Sequence, residues 1–184
     1  ISGGNITADG GGSITLRGIC WATTSNPTTN DNRTTDGTGT GSFTSNLSGL
    51  QSGTTYHVRS YAVNSAGTAY GNDMTFTTLA MVPTLSTAAI SGITTRTAIS
   101  GGNITSNGGS AVTARGVCWS TLHNPTTANS RTSDGSGNGS FTSNLTVLDA
   151  NTTYYVRAYA VNSAGTAYGN EESFTTSQAV LANL

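Results

Sequence analysis

The stretch "YAVNSAGTAYGN", Tyr61 to Asn72, returns without a substitution as Tyr159 to Asn170. The spacing of 98 residues holds along the chain, pairing Cys20 with Cys118, Trp21 with Trp119, Phe43 with Phe141 and Phe76 with Phe174. "ISGGNIT" at Ile1 comes back at Ile99, and "NPTT" and "SFTSNL" follow in step, with no insertion between the copies. Solenoid repeats run to about 20 to 50 residues, so a unit of this length is a domain with its own core. The chain reads as one duplicated domain.

Around the quoted stretch every segment is short and β-like. In "TTYYVRAYAV", from Thr152, Thr, Val and Tyr alternate with polar residues, and clusters of Gly, Asn, Asp and Ser interrupt such runs. No segment carries a capped apolar period of 3.6 residues. The expectation is two all-β sandwiches in series: residues 1–78, a linker at 79–83 stiffened by Pro83, residues 84–176, and a tail at 177–184.

The segment "LTVLDANTTYYVRAYAVNSAGTAYGNEESFTT", Leu145 to Thr176, resembles the end of a fibronectin type III domain. The resemblance implies two tandem fibronectin-III/immunoglobulin-like sandwiches, with Tyr154 after Leu148, and Tyr56 after Leu50, as tyrosine corners bonded to backbone. Tyr154, Val156, Ala158 and Ala160 would then face the core, and Tyr155, Arg157 and Tyr159 the other side. "RGVCWSTLHNPTT" and "SGGNITSNGGSAVTARG" are similar to the tandem modules of Bacteroidetes secreted and surface proteins. The chain departs from animal modules in placing Trp119 in the third strand, and it has no Arg-Gly-Asp triplet. The resemblance implies an extracellular or cell-surface spacer, adhesive or accessory module.

Composition excludes several functions. Charged residues make up 8% of the chain, the net charge is -1, and all seven basic residues are scattered arginines. Phosphate neutralisation needs clustered cations, so nucleic acid is not an expected partner. No apolar run is long enough to span a bilayer as a helix, and no signal peptide is visible. A first residue Ile1 without an initiator Met fits a processed chain or a piece of a longer one.

Candidate chemistry is thin, and the expectation is a non-enzyme without metal or cofactor. Cys20 and Cys118 sit at the same place in the two copies, one thiol in each, and read as small buried apolar residues. A thiol nucleophile needs a base, and His57 and His123 face Tyr155 and Ser25 in the other copy, so neither is a fold requirement. Asp36 and Asp134 open "DGTGTG" and "DGSGNG", which lack the carboxylates of a calcium loop and read as Asp-Gly hairpin turns.

Two classes of function stay open. One is a structural module of a filament. The second copy is preceded by "VPTLSTAAISGITTRTA", Val82 to Ala98, which supplies an opening strand, and nothing stands before Ile1 for the first. The first domain is therefore expected to expose an unpaired edge near Ile1 and Ile6. The tail "SQAVLANL" carries Val180, Leu181, Ala182 and Leu184 and could serve as a donor strand for the next copy, head to tail. Equally, it could begin a third repeat of a longer array. The other class is an adhesin or accessory module with a glycan as partner, for which Tyr61, Tyr70, Tyr155, Tyr159 and Tyr168 are the candidate surface aromatics.

Overall fold

The computed structural model describes residues 1–179. The chain divides into two units, Ile1–Leu79 and Ala80–Leu184. All fifteen elements are strands.

Unit 1 contains β1 (Ser2–Ile6), β2 (Leu16–Ala22), β3 (Asn32–Arg33), β4 (Gly41–Ser45), β5 (Thr55–Asn64), β6 (Gly67–Tyr70) and β7 (Met74–Thr77). One sheet is β1 paired with β4; the other runs β3-β2-β5-β6, with β7 also on β5, and every pairing is antiparallel. The apolar side chains of β2 and β5 alternate toward the facing sheet, and Ile19, Trp21, Phe43, Tyr56 and Val58 form the core.

Unit 2 repeats this with β9 (Ala98–Ser106), β10 (Ala114–Ser120), β11 (Ser130–Arg131), β12 (Gly139–Leu145), β13 (Thr153–Asn162), β14 (Gly165–Tyr168) and β15 (Glu172–Thr175). It also has β8 (Thr84–Thr87), which pairs with β9 to make a three-stranded sheet β12-β9-β8. No strand of unit 1 holds the corresponding place beside β1. The expected linker at 79–83 is corrected by this packing. Met81 donates its N–H to Gly108 O, its carbonyl accepts from Asn162, and Pro83 is buried, so the segment belongs to unit 2.

In each unit the tyrosine ahead of the long strand is buried at the corner. Gln51 N–H donates to the Tyr56 hydroxyl at 3.0 Å, and Asp149 N–H to that of Tyr154 at 3.0 Å. Tyr154, Val156, Ala158 and Ala160 line the core side of β13, all buried.

The Asp-Gly runs are not hairpins, which corrects the turn reading. β3 belongs to the sheet of β2 and β4 to the sheet of β1, so "DGTGTG" crosses between sheets. Arg17 holds it by donating to the carbonyls of Asp36, Gly39 and Thr40, and Arg115 does the same for Asp134, Gly137 and Asn138. The carboxylates of Asp36 and Asp134 accept from Thr34 and Ser45, and from Thr132 and Ser143.

One residue is strained. Val147 has φ 59 and is 88% exposed, whereas its counterpart Gly49 has φ 70. A β-branched residue in the left-handed region is unfavourable, and here it gains no burial in return. Val147→Gly is expected to stabilise unit 2 by about 1 kcal/mol, raising its melting midpoint by roughly 4 °C. A midpoint that falls would refute the strain.

Candidate functional site

The notable site is the place in unit 1 that β8 fills in unit 2. In unit 2 the segment Met81–Ile90 is fastened at three levels. At the first, Asn162 Nδ2 donates to Met81 O at 2.7 Å, and Met81 N–H to Gly108 O at 2.8 Å. At the second, Leu85 packs on Ile104, Val112 and Ala160. At the third, Thr87 acts as a clamp. Its hydroxyl donates to Asn170 O at 2.5 Å and accepts from Ala158 N–H at 2.9 Å, while its own N–H donates to Asn170 Oδ1 at 2.9 Å. Beyond it, Ile90 packs against the main core cluster.

Glycines permit this closeness. A Cβ on Gly169 would lie 2.6 Å from Thr87 Oγ1, and one on Gly102 would lie 2.8 Å from Ser86 O.

In unit 1 the equivalent ground is open, as three cavities. One of about 350 Å³ is lined by Ile6, Ile14, Ala62, Asn64 and Tyr70. One of about 250 Å³ is lined by Gly3, Ser60, Asn72 and Met74. One of about 320 Å³ is lined by Ile1, Leu47, Leu50, Val58 and Phe76. These match, in order, the Met81–Leu85 site, the Thr87 clamp and the Ile90 site of unit 2. Among the described residues Asn64 Nδ2 donates to Asp9 O, at 2.7 Å, where Asn162 serves both Asn107 O and Met81 O. Ile1 and Ile6, the expected edge, line this ground, and Ile1 is 99% exposed. Val180, Leu181, Ala182 and Leu184 lie outside the described residues.

The surface aromatics are corrected in part. Tyr61 and Tyr159 are buried, with their hydroxyls donating to Thr34 O at 2.6 Å and Thr132 O at 2.7 Å. Each ring lies across the strand from a glycine: Gly18 pairs with Tyr61 and Gly116 with Tyr159. A Cβ on either glycine would meet the ring at 2.9 Å. The signal was present as "RGIC" and "RGVC", but only the strand register sets those glycines opposite the tyrosines. Tyr70 and Tyr168 are half-buried; each hydroxyl accepts from a backbone N–H, and Arg59 and Arg157 cover their rings at 4.6 and 4.8 Å. Tyr155 stacks with His123 at 3.7 Å between ring centres. None of the five presents a free flat face of the kind sugars stack on.

The remaining candidates have structural partners. The Cys20 thiol donates to Pro27 O and the Cys118 thiol to Pro125 O, and both residues are fully buried. Burial pushes the Cys118 pKa up to about 11 and raises that of Cys20. Cys118 is therefore expected to resist alkylation in the folded protein and to react once unfolded, as mass spectrometry of iodoacetamide-treated samples will read. Rapid native labelling would contradict that. His57 Nδ1 pairs with Asp73 at 3.0 Å and His123 Nδ1 with Glu171 at 2.7 Å. The same two carboxylates accept from the amides of Asn26 and Asn124, which have positive φ, and so latch the loops after β2 and β10. The Asn26 amide, with His57 in support, holds the Asp73 carboxyl below its ordinary range. Among the described residues no group of His, Cys, Asp or Glu could hold a metal ion.

Two antiparallel sandwiches of this strand order define a tandem all-β module protein of fibronectin type III-like fold. No protein-family profile and no curated protein matches the chain. Among solved structures it is similar to the chicken CNTN1 FN1-FN3 domains at 18% identity, with a TM-score of 0.40, over 89% of this chain and 56% of that one. It is also similar to the sensor domain of the anti-sigma factor RsgI4 of Pseudobacteroides cellulosolvens at 15% identity, with a TM-score of 0.41, over 54% of this chain and 98% of that one. The chain spans a little over half the length of the chicken fragment. No helix among the described residues is long and apolar enough to cross a membrane.

Proposed function

We propose that the chain is a non-enzymatic structural module of an extracellular or cell-surface fibre, of the tandem type found in Bacteroidetes secreted proteins, which polymerises head to tail by strand addition into unit 1. The carrying observation is the open ground beside β1, where unit 2 holds β8. An uncovered edge of this kind is a template for another chain. The formal net charge of -1 gives little repulsion between copies. The tail at 177–184 is the proposed donor. In the repeat register its residues 179–184 fall on Met81–Ser86, the part of the docked segment that enters unit 2 first.

Deleting Ser177 to Leu184 tests this. The full chain is expected to form fibres under negative-stain microscopy, and the shortened chain is expected to stay monomeric. Identical fibres from both, or a full chain that remains monomeric at high concentration, would remove the reading.

A further inference from the structure

We propose that the open ground of unit 1 is a selective acceptor site for one kind of partner, an extended peptide segment of the Met81–Ile90 pattern from another module of this repeat. Its reading frame is set by leucine at the Leu85 position, a small hydroxyl residue at the Thr87 position and isoleucine at the Ile90 position. This rests on strand addition into unit 1 and goes beyond it by fixing the register and the side chains that are read.

The argument comes from the quoted repeat. In unit 2, residues of "YAVNSAGTAYGN" are what the docked segment touches. Asn162 holds Met81 O, Gly165 lies 3.5 Å, at its would-be Cβ, from Val82, Gly169 makes room for Thr87, and Asn170 receives it. The same letters stand in unit 1 as Asn64, Gly67, Gly71 and Asn72, where no described residue supplies the other half. The fold alone does not ask for Gly71, because its φ is not in the left-handed region and a Cβ there meets only Ser60, at 2.4 Å from the hydroxyl. It asks for a glycine when a hydroxyl residue docks beside it.

The three cavities give the site its chemistry. Ile6, Ile14 and Ala62 offer an apolar seat for leucine, as Ile104, Val112 and Ala160 do for Leu85. Ser60 N–H and Asn72 stand where Ala158 N–H and Asn170 grip Thr87. Leu47, Leu50 and Phe76 form the seat for isoleucine, and their counterparts Leu145, Leu148 and Phe174 belong to the cluster on which Ile90 packs. A valine in place of the threonine fits the space but leaves that amide without an acceptor. The site thus distinguishes strands by a hydroxyl. No titratable side chain is among those that seat the segment in unit 2, so binding should vary little with salt.

A synthetic peptide covering 79–90, "LAMVPTLSTAAI", tests the proposal against the full chain by calorimetry. It is expected to bind one to one, a Thr87→Val peptide at least tenfold more weakly, and the tail peptide "SQAVLANL" more weakly too, because in register it stops before the Thr87 position. The double variant Ser60→Ala, Gly71→Ala, which copies Ala158 and fills the hydroxyl's space, is expected to abolish binding while keeping its unfolding midpoint. Equal binding of the threonine and valine peptides would overturn the proposal. So would a failure of the 79–90 peptide to bind while tail-dependent fibres form, and that outcome would leave strand addition standing. Selective binding with fibres that ignore the tail would uphold the acceptor site and remove the tail as donor.

Discussion

Leu148→Ala is expected to destabilise unit 2 by about 3 kcal/mol, and the matching Leu50→Ala to destabilise unit 1 by only about 1 kcal/mol. Leu148 is 1% exposed and packs with Leu145, Val156 and Phe174 beneath Ile90. Truncation there leaves a closed cavity whose lining cannot collapse, so the lost transfer energy and the lost contacts add. Leu50 occupies the same place in the repeat, but it is only partly buried and borders the opening of about 320 Å³ beside Phe76. Its loss enlarges a space that water already reaches. A urea series followed by the resolved NMR signals of each unit separates the two effects. Equal losses would mean that the ground beside β1 is covered in solution, and with it the view of unit 1 as an open acceptor would fail.

The duplication was legible because the spacing from Cys20 to Cys118 never slips, and the strands were legible because threonine, valine and tyrosine alternate in "TTYYVRAYAV". The corner at Tyr56 and Tyr154 was legible for the same local reason: leucine, turn and tyrosine lie within one short stretch. What escaped the sequence depends on pairs distant along the chain. Tyr61 and Tyr159 carry a polar tip and sit on the face opposite the core, so alternation puts them outside. They are buried because β2 and β10 bring Gly18 and Gly116 across from them, and a ring can lie over the bare backbone. The Asp-Gly runs look local, yet the arginine that fastens each one is 19 residues away. Residues 79–83 look like a linker by composition, and only the far asparagine, Asn162, makes Met81 part of unit 2.

Thr87→Val is expected to weaken unit 2 by about 2 to 3 kcal/mol, although the two side chains have nearly the same shape. Thr87 is 7% exposed, so water does not readily replace its hydroxyl. Valine keeps the backbone donation to Asn170 Oδ1 but removes the partner of Asn170 O, and it strands the N–H of Ala158, a residue with no exposed surface. Burying an amide without an acceptor costs more than the bond itself contributed. The strand that Thr87 closes is an edge strand of four residues, paired on one side only, with β9. Its other hold on β13 and β14 is this clamp, together with the Leu85 contact. Hydrogen exchange reads the result residue by residue: the amides of Ala158 and Ala88 are expected to lose protection first, while those in the middle of β10 and β13 keep theirs. An Asn170→Ala variant completes a double-mutant cycle, and strong coupling between the two positions is expected because they share one network. Additive losses, or an unchanged exchange rate at Ala158, would show that threonine at this position is not what locks the strand, and the identical Asn72 of unit 1 would then have no hydroxyl to await.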